Sequence, residues 1–333
     1  MDSLHSLLFE ISNEDRSAIL RELEEEAKNV TSISRKLDLT IQESSRHLSR
    51  LERVGLTERD PDGLHHLSRY GRLVLKMLPG IEFVTVRRDY FSKHSLEGIP
   101  LEFACRLGEL LKSSIVDDVM VGFYNVDSML ERAEEYVLMM TDQYLMGTMP
   151  IVGHALDRGV KVMNIESRFC VPPVLPSNWS DSETSQALQR GREKRLLDER
   201  VLDSLGVYLY MSEREVGTLA FPLPDGKFDY LGFTSNDERT RNWCKQLFDY
   251  YWEIAQKRDD LIANLQRWVK NRPNAREALL EMVSGKAYTR DGDVLRGLQE
   301  VGLVHRNKLT ILGYIICDQF SEKSEEPSTE EAG

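Results

Sequence analysis

The chain has 333 residues, with 43 Lys and Arg against 55 Asp and Glu, for a formal net charge of −12. A hydrophobic fraction of 41% beside 29% charged residues excludes a wholly disordered or fibrous protein and suits two or three domains of roughly 100–200 residues each. No apolar run reaches the roughly 18 residues a spanning helix needs, Met1-Asp2-Ser3 opens no basic signal region, and Cys105, Cys170, Cys244 and Cys317 lack CxxC spacing. A cytoplasmic chain with reduced thiols and no membrane contact is therefore expected.

A bulk charge of −12 argues against nucleic acid as a partner. Partitioned along the chain, it reads differently. Residues 1–34 carry −5, residues 35–76 carry +3 with His47, His65 and His66 besides, residues 77–317 carry −5, and residues 318–333 carry −5. The basic stretch has its own pattern. Ser12 is expected to cap a helix holding Ile19, Leu20 and Leu23, with Asp15 at the third position. Thr31 is expected to cap a short helix with Ile33 and Leu37. Thr40 and Glu43 form a capping box for a third helix, whose Ile41, Ser44, Leu48, Leu51 and Val54 share one face, and Gly55 is its stop. Two short strands, 56–59 and 64–67, flank the turn Asp60-Pro61-Asp62-Gly63. Ser68 then caps a helix expected to end at Pro79-Gly80.

Three helices and a hairpin in this order make a winged helix-turn-helix. Opposite the Leu48/Leu51 stripe the third helix offers Gln42, Arg46, Ser49, Arg50 and Arg53, flanked by Ser45 and His47. These donors suit guanine edges and phosphates in a major groove. Arg59, His65 and His66 on the hairpin, with Thr31 and Ser32 at the start of the preceding helix, complete the expected DNA-binding set. The run Ser45-Arg46-His47-Leu48-Ser49-Arg50-Leu51 with Val54-Gly55-Leu56 resembles the recognition helix of ArsR-type winged-helix regulators over about residues 8–80. The Cys pair of the metal-sensing members is absent here, so no metal site is carried over.

Residues 81–99 read as a connector and Leu101 to Leu111 as a helix. Strands at 135–140 and 160–165 bracket a helix at 151–157 stopped by Gly159, which is βαβ logic and implies a parallel pair. Residues 170–179, with Pro172, Pro173 and Pro176, read as a loop, and 183–199 as one exposed helix. Strand-like runs follow at 207–211, 216–221 and 228–233. Asn236 is expected to cap a helix bearing Trp243, Phe248, Tyr251 and Trp252. Ala133-Glu134-Glu135-Tyr136, Ala155 to Val160, Asp225 to Tyr230, and Trp243-Cys244 with Tyr250-Tyr251-Trp252 resemble the C-terminal domain of archaeal regulators named for filament formation in methanogens. Those domains are similar to the effector domains of TrmB-like regulators on a phospholipase-D-like scaffold. Phosphodiesterase chemistry on that scaffold needs His-x-Lys. Neither His94 nor His154 has Lys two residues on, so the resemblance implies a scaffold without catalysis. The aromatic run Tyr250-Tyr251-Trp252 reads as a packed face before an effector pocket.

Leu295-x-x-Leu298-x-x-Val301-Gly302-Leu303 repeats the spacing of Leu48 to Leu56, and Leu309-Thr310-Ile311-Leu312-Gly313 echoes Leu67 to Gly71. A second winged helix is expected, with helices near 258–271, 274–283 and 289–300 and caps near Asn274 and Thr289. Its outer face of Arg290, Asp291, Asp293, Arg296 and Gln299 favours a structural or dimerising role. No phosphate-loop, zinc or nucleophile-elbow motif occurs, and no cofactor is expected. The fold class is therefore α+β and multidomain: a winged helix-turn-helix at 1–80, a connector at 81–99, an α/β effector or regulatory domain at 100–257, a second winged-helix-like domain at 258–318 and an acidic tail at 319–333. The expected function is transcriptional regulation by a homodimer on double-stranded DNA, with a central domain that senses a small-molecule effector or mediates assembly. The alternatives are a winged-helix adaptor for other proteins and, on the central scaffold, a phosphodiesterase.

Overall fold

The computed structural model describes residues 4–172, 182–285, 288 and 291–322. Two compact units emerge, one of Met1–Arg87 with Cys105–Leu111, the other of Arg88–Ala104 with Lys112–Gly333. The fold is α+β and multidomain, with a winged helix-turn-helix, a mixed sheet under helices, and a second winged helix.

The first unit opens with α1 (Leu4–Ile11), α2 (Glu14–Glu25), α3 (Val30–Leu37) and α4 (Ile41–Arg53). The wing is β1 (Thr57–Arg59) with β2 (His65–Leu67), and α5 (Arg69–Val86) follows. Ile19, Leu20, Leu23, Ile33, Leu48, Leu51, Leu56 and Leu67 form its core. The helix caps sit beside the expected residues. Asn13 rather than Ser12 accepts from the Arg16 amide, and Asn29 rather than Thr31 accepts from that of Ser32, which leaves Thr31 inside α3. An amide side chain, one residue after Ser12 and two before Thr31, wins because its oxygen reaches the third free N–H. The Thr40–Glu43 capping box forms in both directions. Gly55 ends α4 at φ +74°, with the Leu56 amide donating to Leu51.

Two expectations fail along α5. The helix runs through Pro79 and Gly80 to Val86, so 81–86 is helix and not connector. A 3-10 turn at Leu107–Leu110 packs on that stretch so closely that a Cβ on Gly108 would collide with Pro79 and the Gly80 amide, and Phe83 is buried one turn beyond. Tertiary contact thus overrides the helix-breaking preference of Pro-Gly. The anticipated helix 101–111 is split accordingly. Its first part is α7 (Leu101–Ala104), after α6 (Arg88–Phe91), and its remainder is the turn just described.

A small lock fixes α5 to the end of α4. The Ser68 hydroxyl donates to the Gly55 carbonyl at 2.5 Å and accepts from the Gly71 amide at 2.8 Å. A Cβ on Gly71 would collide with the Leu56 carbonyl, so only glycine permits this approach.

In the second unit β3 (Ser114–Val116), α8 (Val119–Arg132), β4 (Tyr136–Thr141), α9 (Thr148–Asp157), β5 (Lys161–Ser167), α10 (Glu183–Glu193), β6 (Leu197–Leu202), β7 (Tyr208–Ser212), β8 (Val216–Ala220), β9 (Gly232–Ser235), α11 (Glu238–Ile254) and β10 (Gln256–Lys257) build one sheet with flanking helices. Its eight described strands run β10-β6-β5-β4-β7-β8-β9-β3. β4, β5 and β6 are parallel and the other pairings antiparallel, so the βαβ reading holds for β4 and β5. The expected helix 183–199 stops at Glu193, and its end is β6. The third strand-like run yields a strand only from Gly232, and α11 is capped by Asp237 rather than Asn236. Of the expected proline loop, residues 173–181 lie outside the described residues.

The repeat is real in three dimensions. α12 (Arg258–Lys270), α13 (Pro273–Val283), α14 (Gly292–Glu300), β11 (Val304–His305), β12 (Lys308–Leu309) and α15 (Ile311–Glu322) make a second winged helix. Gly302 ends α14 at φ +80°, the Thr310 hydroxyl donates to its carbonyl at 2.6 Å and accepts from the Gly313 amide at 3.1 Å, and a Cβ on Gly313 would strike the Leu303 carbonyl. The lock of the first copy therefore recurs atom for atom. Asp291 caps α14, Asn274 lies within α13, and Thr289 and Arg290 lie outside the described residues. Residues 319–322 are the last turn of α15 rather than tail, and the acidic residues after Glu322 also lie outside the described set.

This module is held to the sheet by apolar packing, with Val201 of β6 in its core, and by charge. Arg258, at the start of α12, places both terminal nitrogens 2.5 Å from the Glu199 carboxylate on β6, and both side chains are buried. Arg192 donates to the same carboxylate at 2.7 Å. Burial alone would push the Glu199 carboxyl up, but the two guanidiniums hold it below the usual range. Replacing Arg258 by Met should cost about 3–5 kcal/mol by leaving Glu199 undercompensated. Urea denaturation should show most of that loss recovered in Arg258→Met/Glu199→Met.

Candidate nucleic-acid interface

α4 is held by three groups of contacts. Its inner face carries Ser44, His47, Leu48 and Leu51, all buried. Its start is fixed by the capping box and its end by Gly55 and the Ser68 lock. At about 100° per residue, Gln42, Ser45, Arg46, Ser49 and Arg53 fall within one arc of about 100° on the opposite side, and all five are exposed. Ser49 also donates to the Ser45 carbonyl at 2.9 Å. Thr31 and Ser32, in the first turn of α3, are exposed, as is Arg59 on β1.

The structure places three of the anticipated residues differently. His47 is buried, with Nε2 3.5 Å from Asp15, and burial lowers its basicity more than Asp15 restores it. His65 is also buried, with its pKa lowered mainly by burial. Its backbone exchanges two hydrogen bonds with Lys28 (3.0 and 2.9 Å), adding a one-residue bridge to the wing. Neither ring is on the surface. His66 is partly exposed, consistent with neighbouring strand residues facing opposite ways.

Arg50 is the third. Its guanidinium donates twice to Glu10, at 3.0 and 2.9 Å, and lies over the Phe9 ring at 5.3 Å. Glu10 also pairs with Arg16 at 2.9 Å, and Arg16 donates to the carbonyls of Phe9 and Glu10 at the end of α1. The Glu10 side chain is 12% exposed and that of Arg50 34%. Sequence reasoning missed this carboxylate because α1 was not expected and the partners are forty residues apart.

The hydrogen bond from Arg50 holds the Glu10 carboxyl below its ordinary range. A depressed carboxyl stabilises the fold above its unfolded pKa, and that contribution fades as pH falls through the folded value. Wild type should therefore exceed Glu10→Gln in stability near neutrality. The difference should shrink below about pH 4 in urea titrations across pH.

A second polar cluster lies in the central sheet. The Tyr144 hydroxyl donates to Glu166 at 2.6 Å and accepts from the Asn164 amide at 2.8 Å, and the Tyr230 hydroxyl donates to Asp142 at 3.2 Å. Burial pushes the Glu166 and Asp142 carboxyls and the Cys170 thiol up. The near-continuous apolar run of β4 gave no signal for it. Tyr251 and Trp252 are buried core, as read from the sequence, while Tyr250 is exposed. Among the described residues no group of His, Cys, Asp and Glu could hold a metal ion, and no helix is long and apolar enough to cross a membrane.

Comparison with known proteins bears on the first unit. Residues 11–60 match the family model of a helix-turn-helix domain. That match identifies a helix-turn-helix domain within the first unit. No curated protein matches it. Among solved structures it is similar to TrmBL2, an archaeal chromatin protein described as binding DNA in a novel mode, at 16% identity and a TM-score of 0.34, over 77% of this chain and 100% of that one. It is also similar to Nuc from Salmonella typhimurium, a phospholipase D family member, at 12% identity and 0.27, over 40% of this chain and 89% of that one. Neither likeness is strong enough to carry an argument.

Proposed function

We propose that the chain is an ArsR-like transcriptional regulator of the archaeal, filament-regulator type, which reads specific duplex DNA as a cytoplasmic homodimer. α4 would enter the major groove with Gln42, Arg46, Ser49 and Arg53, Ser45 beside them, while Arg59 and His66 of the wing and Thr31 and Ser32 of α3 approach the backbone. The observation that carries this reading is the exposed arc on α4: five donor-bearing side chains on one side of a helix fixed at both ends and along its inner face. Rigid placement matters because base reading requires donors already held at hydrogen-bonding geometry. The second unit is the regulatory body, which senses a small-molecule effector or mediates assembly. His47 and His65 drop out of the proposed contact set, and Arg50 joins it only once released from Glu10.

Dimerisation follows from size, because a single module of this kind buries too little surface for tight specific binding. The test is fluorescence anisotropy with the protein's own upstream DNA and a scrambled duplex across a salt series. Arg46→Ala should cost about 1–3 kcal/mol on the specific duplex if it contacts a base, and Arg53→Ala should reduce the salt slope by about one if it contacts phosphate. Full-strength binding by Arg46→Ala/Arg53→Ala would sink the reading of α4. Absence of any salt-dependent duplex binding by wild type would favour the protein-adaptor alternative.

A further inference from the structure

The polar cluster at the carboxyl ends of β4 and β5 has no part in reading DNA, and its hydrogen bonding is incomplete. Asn164 and Glu166 lie two apart on β5, so they share one face of the sheet, at 2% and 1% exposure. Tyr144, three residues beyond β4, bridges them through its hydroxyl. That bridge takes up the Asn164 Nδ2 and the Glu166 Oε2. Among the described residues nothing donates to the Glu166 Oε1 or to the Asn164 Oδ1, although both atoms are buried. Buried acceptors are normally satisfied, and leaving them bare is costly.

A second carboxyl faces the same space. The Cys170 thiol is pushed up by burial and by the charges of both Glu166 and Asp142, which sets the two carboxyls around one sulfur. Asp142 follows β4 directly and accepts from the Tyr230 phenol, and the Tyr208 ring stands edge-on to that of Tyr230 at 5.0 Å. Asp142, Tyr144 and Tyr230 are partly exposed, so the cluster has a solvent-facing rim over a buried floor of Asn164 and Glu166. The crevice outside the carboxyl ends of parallel strands is where open α/β sheets take their ligands.

The free groups define what would fit. Two acceptors without a donor call for N–H or O–H groups. Charge narrows the choice further. Arg258 and Arg192, whose charges reach Glu166, are both hydrogen-bonded to Glu199 instead. Asp142 is met by a phenol. A neutral polyol would satisfy the acceptors but not the carboxyls. A protonated primary amine satisfies both, and the surrounding phenol rings attract it as well.

We infer that Asn164, Glu166 and Asp142 form a binding site for the primary ammonium group of a small organic cation, with Tyr144, Tyr208 and Tyr230 around it. This rests on the reading of the second unit as a small-molecule sensor and names the class of effector. Asn164 and Glu166 pair in register with Glu199 and Val201 of β6. Glu199 holds Arg258 of α12 and Val201 packs into the core of the second winged helix, so a ligand on β5 sits one strand away from that attachment.

Isothermal titration calorimetry on the full chain tests this with n-butylammonium and 1,4-diaminobutane, against n-butanol and D-glucose as neutral probes. The ammonium probes should bind, and n-butanol should bind at least tenfold more weakly than n-butylammonium. Glu166→Gln and, on the rim, Asp142→Asn should each weaken ammonium binding roughly tenfold or more while keeping the wild-type circular dichroism, because each removes a charge and little volume. Glu253→Gln, an exposed carboxyl on α11, should bind as wild type does. Undiminished ammonium binding by folded Glu166→Gln and Asp142→Asn overturns the inference and leaves the sensor reading standing. Binding of n-butanol or glucose without binding of either amine does the same. Absence of binding by all four probes removes the inference and counts against the sensor reading too.

Discussion

A backbone approach that only glycine allows organises both winged helices. The helix after each wing begins where its third residue meets the carbonyl of the residue that follows the glycine stop of the helix before the wing: Gly71 on Leu56, Gly313 on Leu303. A hydroxyl closes the contact in each copy, Ser68 in one and Thr310 in the other, accepting the glycine amide and donating to the stop residue's carbonyl. The end of the third helix, the base of the wing and the start of the following helix therefore move as one body. Without that junction the wing would hinge about the stop glycine, and the outer face of α4 would have no fixed relation to it.

The second unit solves a different problem, the burial of carboxylates in a sheet. Glu199 is met by two guanidiniums and stays charged. Glu166, on the neighbouring strand β5, has the Tyr144 phenol as its hydrogen-bond donor and is pushed toward its neutral form by burial. Glu199 also ties α12 to β6, and the Ile311 amide reaches the Cys170 carbonyl just beyond β5 at 2.9 Å. The second winged helix is thus attached near the region of the sheet that holds the polar cluster, through the Glu199–Arg258 pair, the Ile311–Cys170 backbone contact and Val201 of β6, which packs into its core.

Features encoded within four residues were legible in the sequence. The Thr40–Glu43 box, the stops at Gly55 and Gly302, the turn at Gly63 and the spacing of both leucine stripes are local and each has a single good solution. The internal repeat was legible for the same reason, because it repeats local devices. Features decided by distant partners were not. Pro79-Gly80 signals a helix end until the turn at Leu107–Leu110 packs against it. β6 looks like a continuation of α10 because Asp198, Glu199 and Arg200 are read as solvent-facing, when Arg192 and Arg258 draw Glu199 inward. On α4 the period placed Ser44, Leu48 and Leu51 on the inner face correctly, but Ile41, read onto the same face, is 59% exposed in the first turn. The period could not place His47, which lies at the boundary of the inner and outer faces, nor show that an unexpected α1 would bring Glu10 to Arg50. The cap shifts at Asn13, Asn29 and Asp237 are of one or two residues, where several capping side chains in a row leave the choice to geometry.

The Glu10–Arg50 pair has a consequence for how any anion could use that guanidinium. Arg50 already has a bidentate carboxylate and a ring beneath it. An incoming phosphate can take it only by displacing Glu10, which stays behind between Arg16 and the newcomer. The contact is then an exchange of one anion for another, opposed by the Glu10 charge left beside the newcomer. Such a site is indifferent to passing polyanions and rewards only a ligand that presents its oxygens better than the resident carboxylate does.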